Sequence, residues 1–199
     1  MKNKLEIVVA TNNEHKVQEL RDIFSPYGIV LYSLKDKNIV VDPDENGKNY
    51  SENAYIKAHE VSKFTDLPVL SDDSGIEIEA LGKDVPGIYS HRFALQNGGQ
   101  EETNKMLIKN CPNSPATFTC HFVLLNFKGN ERLDFEGKMI GRINDKIEGI
   151  NGFGYDPIFV PSGYEHSVAT LKKDEKNKIS HRYNACLNLL NFLKENNYI

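Results

Sequence analysis

The stretch LEIVVATNNEHKVQELRDIF, residues 5 to 24, decides the fold. Leu5 to Ala10 is rich in β-branched residues and almost continuously apolar, the pattern of a strand buried on both faces. Thr11-Asn12-Asn13 interrupts that run with polar residues that favour helix caps. Val17, Leu20 and Phe24 then recur at spacings of three and four, which predicts an amphipathic helix. Strand, polar turn and helix in this order aim backbone N–H groups at whatever sits above the strand end. Asn12 and Lys16, four apart, are read as sharing a helix face. Lys16 then sits beside the positive end of the helix dipole, which disfavours folding slightly and suits a bound anion. An ordinary strand-to-helix turn explains the same residues.

Outward from this unit, Ile29 to Leu34 reads as a second strand and residues 42 to 50 (DPDENGKNY) as loop. Ser51 or Asn49 can cap a helix that puts Ala54, Ala58, Val61 and Phe64 on one face. Leu67 to Leu70 is a short strand ending at Ser71-Asp72-Asp73-Ser74-Gly75, and Ile76 to Ala80 alternates with period two. Residues 82 to 99, with Gly82, Pro86, Gly87, Gly98 and Gly99, read as a long irregular loop. Glu101 to Lys109 is helical. Ala116 to Phe127 and Arg132 to Ile140 form a hairpin closed around Lys128-Gly129-Asn130. A glycine-punctuated loop from Gly149 to Asp156 leads into Pro157 to Val160. Ser180 caps a last helix whose Cys186, Leu189, Leu190 and Leu193 form a core stripe. The early β-α-β-α pattern and the later hairpin predict an α/β fold with a mixed sheet, residues 1 to 199 forming one domain without a separable linker.

Bulk properties narrow the function. A chain of 199 residues with 39% apolar and 26% charged residues can bury a real core. Net charge −4 argues against a nucleic-acid binder that works by neutralising phosphates. No stretch approaches the roughly 20 apolar residues of a membrane span. Met1-Lys2-Asn3-Lys4 runs into an apolar segment too short for a signal peptide, so a cytoplasmic protein is expected. Cys111, Cys120 and Cys186 are odd in number and lack C-x-x-C spacing, which points to reduced, partly buried thiols.

Four stations carry chemistry. Thr11 to Lys16 is the first. Asp72 and Asp73 are the second: adjacent carboxylates repel and resist burial unless a cation compensates them. Magnesium takes one or two carboxylates with phosphate oxygens and water, and Asp44 or Glu45 can add a carboxylate from the acidic loop. Gly152-Phe153-Gly154-Tyr155-Asp156 is the third, its glycines allowing close backbone approach and its aromatics offering faces for stacking. The fourth is Lys176 with Ser180-His181-Arg182, basic groups near a helix start where the dipole prefers acids. Each has a plain structural reading beside the functional one: an Asx turn, a glycine turn over buried aromatics, solvated basic residues. Together they describe a polyphosphate cradle, a metal site and an aromatic slot.

The strings TNNEHK (11 to 16), ENAYIKA (52 to 58), SDDSG (71 to 75), PGIYSHR (86 to 92), GFGYDPIF (152 to 159) and EKNKISHR (175 to 182) occur in that order. On these the sequence resembles the inosine triphosphate pyrophosphatase family, the Ham1-like enzymes acting on non-standard purine nucleotides. The resemblance spans essentially the whole chain. It implies a two-lobed α/β fold with a long mixed sheet, a nucleotide cleft between lobes and a homodimer. It implies cleavage of ITP, dITP and XTP between the α- and β-phosphates, with Mg2+ as cofactor, in nucleotide-pool sanitation. Carried over by position, Asp73 is general base and metal ligand, Asp44 the second acidic ligand and Glu45 the fallback. Asp72 and Lys57 support the same chemistry. Thr11, Asn12, Asn13, Glu14, His15 and Lys16 line the phosphate site. Ser74, Phe153, Gly154, Tyr155, Asp156, Lys176, His181 and Arg182 contact substrate, with His181 and Arg182 as donors to the 6-oxo group and Phe153 or Tyr155 stacking on the base. Lys16, Lys57 and Lys176 offset phosphate charge. The chain departs from the family pattern at Asp44, where Glu is common, and at His91, Ala94-Leu95 and Thr170. A silent nucleotide sensor, or a pyrophosphatase for other modified nucleotides, is the alternative reading.

Overall fold

A computed structural model describes residues 4–199; Met1, Lys2 and Asn3 of the N-terminal reading lie outside them. Strand β1 (Glu6–Val9) leads into helix α1 (Glu14–Phe24), and β2 (Val30–Tyr32) returns parallel to β1 with Ile7 opposite Leu31. Val17, Leu20 and Phe24 are all buried, as their spacing predicts. Helix α2 (Tyr50–Ser62) is capped by Asn49, whose side chain accepts from the Glu52 N–H. Ala54, Ala58 and Val61 form its buried stripe. Phe64 does not join them: it follows the helix end and is 60% exposed.

Strand β3 (Val69–Ile78) is longer than the sequence suggests. The Ser-Asp-Asp-Ser-Gly string reads as a break, but it continues the strand, which is parallel to β1 with Val8 opposite Val69. Turn propensity yields here because each buried carboxylate finds a cation. A second correction falls in residues 82 to 99. They hold a two-residue strand β4 (Pro86–Gly87), antiparallel to β3, and helix α3 (Ser90–Gln96). Helix α3 has only seven residues and no side-chain cap, so its periodic signal is weak.

Helix α4 (Gln100–Asn110) precedes strands β5 (Pro115–Phe127) and β6 (Asn130–Ile143). They are joined at Lys128-Gly129, both with positive φ. Strand β7 (Phe159–Pro161), the one-turn helix α5 (Lys173–Lys176) and helix α6 (His181–Glu195) complete the chain. Ser180 Oγ accepts from the Tyr183 N–H at 3.1 Å, the predicted cap, and Cys186, Leu189, Leu190 and Leu193 are buried. The sheet is mixed and seven-stranded, in the order β2-β1-β3-β5-β6-β7, with β4 beside β3.

The chain forms two compact units. The first comprises residues through Asp73, Cys120–Gly137 and Ala185–Ile199. Its core includes Val8, Ala54, Ala58, Val69, Val123 and Leu125. The second comprises Ser74–Thr119 and Lys138–Asn184, with a core that includes Ile76, Leu107, Phe118, Tyr155 and Phe159. The three cysteines are buried and none is in a disulfide, and no helix among the described residues is long and apolar enough to cross a membrane.

Candidate active site

In the first unit the candidate residues gather on α1, α2, β3 and the acidic loop. Asn13 caps α1, its Oδ1 accepting from the N–H groups of His15 at 3.0 Å and Lys16 at 3.3 Å. Thr11 Oγ1 accepts from the Asn13 N–H at 3.2 Å. The turn thus satisfies several of the N–H groups that the sequence reading aims at a ligand. Asn12 precedes the cap, so it shares no helix face with Lys16; its amide donates to the Val41 carbonyl at 3.1 Å. Glu14 and His15 are exposed.

Consecutive strand side chains point to opposite faces, and this separates the two aspartates. Asp72, fully buried, receives Lys16 Nζ on Oδ2 at 2.9 Å, with Cys120 Sγ 4.0 Å from the same oxygen. Asp73 receives Asn53 Nδ2 on Oδ2 at 3.1 Å and Lys57 Nζ on Oδ1 at 3.4 Å. Lys57 Nζ also reaches Glu45 Oε1 at 3.0 Å. One ammonium therefore bridges the carboxylates of Glu45 and Asp73. Burial lifts the Asp73 pKa above the ordinary 3.8; Lys57 opposes that lift and Glu45 adds to it. Burial works against the Lys57 ammonium, but Asp73, Asp72 and Glu45 outweigh it and raise its pKa above 10.5. Asp44, one residue before Glu45, is exposed.

The second unit gathers the remaining candidates. Arg182, 1% exposed, donates from Nη2 to Ser74 Oγ at 3.2 Å. His181 stacks on Phe118, centroids 4.8 Å apart and planes 11° apart. Lys176 Nζ lies 2.8 Å from Asp156 Oδ2 and 4.8 Å from the centroid of the Phe153 ring. Asp156 Oδ2 also accepts from the Phe153 N–H at 2.9 Å. Gly152 makes this possible: its φ is +79°, and a Cβ there would collide with the Asp156 carboxylate. Asn104 Nδ2 donates to the Gly154 carbonyl at 3.1 Å. The two aromatics differ in setting. Phe153 is half-buried, whereas Tyr155 is packed into the core with its hydroxyl donating to the Ser90 carbonyl at 2.6 Å.

Sequence reasoning passed over Asn53, Asn104, Phe118 and Ser90, all of which hold candidate residues. Asn53 had a usable signal, since it lies four residues before Lys57 on one helix and so shares its face. Phe118 and Ser90 had none, because their contacts come from distant strands and loops.

A family model described as the Ham1 family matches residues 7–192. The chain belongs to the Ham1 family. Among its relatives, a dITP/XTP pyrophosphatase of Clostridium perfringens is 37% identical, the match covering 95% of this chain and 97% of the relative. One of Aquifex aeolicus bearing the same name is 39% identical over 96% of this chain and 97% of its own. Two solved Ham1-family structures share the fold. The Ham1 protein of Staphylococcus aureus superimposes with a TM-score of 0.81 at 34% identity, covering 96% of this chain and 99% of that one. The Coxiella burnetii HAM1 protein gives 0.83 at 35% identity with the same coverage.

Proposed function

We propose that this Ham1-family chain is a pyrophosphatase that converts ITP, dITP and XTP to the monophosphate and pyrophosphate, cleansing the nucleotide pool. The observation that carries this reading is the Lys57 ammonium bridging Glu45 and Asp73. The names of the relatives, dITP/XTP pyrophosphatase, support it over nearly the whole chain.

The residues present suit Mg2+. Glu45 and Asp73 offer hard carboxylate oxygens around a position already occupied by one cationic group. No group of three or more His, Cys, Asp or Glu converges as a metal cage among the described residues, and Mg2+ does not require one, since water and phosphate complete its shell. Glu45 and Asp73 are assigned to hold it, with exposed Asp44 the neighbouring carboxylate. When bound, the ion would offset charge on the phosphates and on the departing pyrophosphate.

In the reaction, Asp73 accepts a proton from a water molecule whose oxygen attacks the α-phosphorus. The bond from that phosphorus to the α-β bridging oxygen breaks, and pyrophosphate leaves with the bond's electron pair. Lys16, oriented by Asp72, and Lys57 offset negative charge; this class of chemistry rests on positioning and electrostatics. Thr11 to Lys16 are assigned to the phosphates. Phe153, set by Lys176 and Asp156, is assigned to stacking on the base, and His181 and Arg182 to its 6-oxo edge. A site built to donate to an oxo group rejects a 6-amino group because its donors are left unpaired. A cytoplasmic homodimer completes the reading.

Incubation with ITP, XTP, ATP or dUTP and Mg2+, with pyrophosphate and orthophosphate quantified, tests it. Pyrophosphate from ITP and XTP alone is expected. Orthophosphate, or no turnover, contradicts it, the latter favouring a nucleotide sensor. Asp73→Asn is expected to lower kcat about 10²–10⁴-fold. Sedimentation velocity on the purified chain checks the dimer.

A further inference from the structure

Asn53 is 1% exposed and uses its amide at both ends. Nδ2 donates to Asp73 Oδ2 at 3.1 Å, and Oδ1 accepts from the Gly47 N–H at 2.8 Å. This fixes the amide's orientation, since only its nitrogen can donate to a carboxylate and only its oxygen can accept a backbone N–H. Gly47 lies two residues beyond Glu45, so the amide ties the acidic loop to the strand that carries Asp73. The approach is close. A Cβ on Gly47 would sit 2.7 Å from Asn53 Oδ1 and 2.8 Å from both Asn53 N and Glu52 Cβ. The next residue is held too, with the Lys48 N–H donating to Glu52 Oε2 at 2.8 Å. One turn along α2, Lys57 reaches the carboxylates of Glu45 and Asp73. A single helix face thus sets both acids.

We propose that Asn53 is the positioning residue of the carboxylate pair: by clamping Gly47 and Asp73 to one amide it fixes where Glu45 and Asp73 present oxygens to a divalent cation. This rests on the proposed function. An amide suits the task because it donates to a carboxylate without adding a charge of its own. The clamp acts on placement, and neither Asn53 nor Gly47 need touch the nucleotide.

The test uses the full chain, its Asn53→Ala and Gly47→Ala variants and the double variant. Mn2+ binding is followed by the electron-spin-resonance signal of the free ion, in the presence of the α,β-methylene analogue of ITP. Turnover of ITP and melting temperature are measured in parallel. Loss of a residue that orients metal ligands weakens metal binding about 10–100-fold. That weakening is expected in both single variants, with kcat falling by a similar factor and KM for ITP less affected. The double variant should be no worse than the poorer single, because both substitutions break one clamp. Parental Mn2+ affinity in a folded Asn53→Ala chain overturns the proposal, as does a lowered melting temperature with metal binding and kcat intact. If Asn53→Ala does not fold, Gly47→Ala decides alone, since it keeps the Asn53 side chain. Parental Mn2+ affinity and kcat in Gly47→Ala then overturn the clamp. The parent chain separates the two readings: no pyrophosphate from ITP there defeats the proposed function itself, full activity in Asp73→Asn removes Asp73 from its assigned role, and an active parent with an inactive Asp73→Asn beside a normal Asn53→Ala defeats only the clamp.

Discussion

Phe153 stands half-buried with the Lys176 ammonium 4.8 Å from its ring centroid, and Asp156 holds both the ammonium and the Phe153 N–H. A ring fixed in this way loses little freedom when a flat base settles on it. Base–aromatic stacking is worth about 1–3 kcal/mol by alanine substitution. Phe153→Ala is therefore expected to raise KM for ITP by roughly 5- to 150-fold, the same free energy expressed as affinity. Steady-state kinetics on ITP, with kcat as the control, checks this. Tyr155, two residues on, serves structure instead. Burial pushes its phenol from 10.0 up to about 12, a Gln100 hydrogen bond opposing the rise. Between those values the unfolded phenol has ionised and the folded one has not, so unfolding releases a proton and stability falls as pH rises. Urea midpoints of the parent chain should decline more steeply than those of Tyr155→Phe from about pH 10 to 12. Parallel declines would show that Tyr155 does not feel its burial.

At the scale of elements, helix α1 was the most legible. Its apolar spacing, its cap and the position of Lys16 follow from residues 5 to 24 alone, because its capping is local; Lys16–Asp72 and Arg21–Asp36 tie it to the rest of the chain without setting its bounds. Asn13 carries the start of that helix with two N–H groups on one side-chain oxygen. Asn13→Ala should cost about 1 kcal/mol of stability, read by chemical denaturation. It should also raise KM for ITP by loosening Lys16. Strand β3 was the least legible element. Local chemistry favours a turn at Ser-Asp-Asp-Ser-Gly, and partners supplied from elsewhere, Lys16, Lys57 and Asn53 among them, make a strand there tolerable. Helix α3 stayed hidden for a related reason. Its cap residue, Tyr89, makes no side-chain capping hydrogen bond, and Ser90 is held by the Gly87 carbonyl and the Ile76 N–H. Of the site, the four stations were legible as strings, while the residues that hold them were not. Phe118 matters through a contact that no spacing rule connects to His181, whereas Asn53 is tied by helix spacing to Lys57 but by none to Asp73.

For the whole molecule, neither compact unit is a continuous stretch of chain. The first draws on three segments, and Val123 and Leu125 of β5 pack with Val8, Val69 and the alanines of α2. A fragment ending at Asp73 lacks those strand residues and leaves that apolar face uncovered, so it is expected to show no cooperative thermal transition by circular dichroism. A cooperative melt of that fragment would mean that the core closes without β5.

The alternation of Asp72 and Asp73 along β3 has an evolutionary and engineering consequence. Parity decides which carboxylate meets which lysine, so one inserted residue between Leu70 and Asp72 would turn each acid to the opposite face, with Asp72 in the place of Asp73 and Asp73 one position further along the strand. Such a protein could keep every charged group and still leave Lys57 facing Asp72, with Asp73, the carboxylate proposed to activate water, turned to the other face and away from Asn53 and Lys57. Length in this strand is therefore under tighter constraint than composition, and loop insertions elsewhere will be borne far more readily than a single extra residue here.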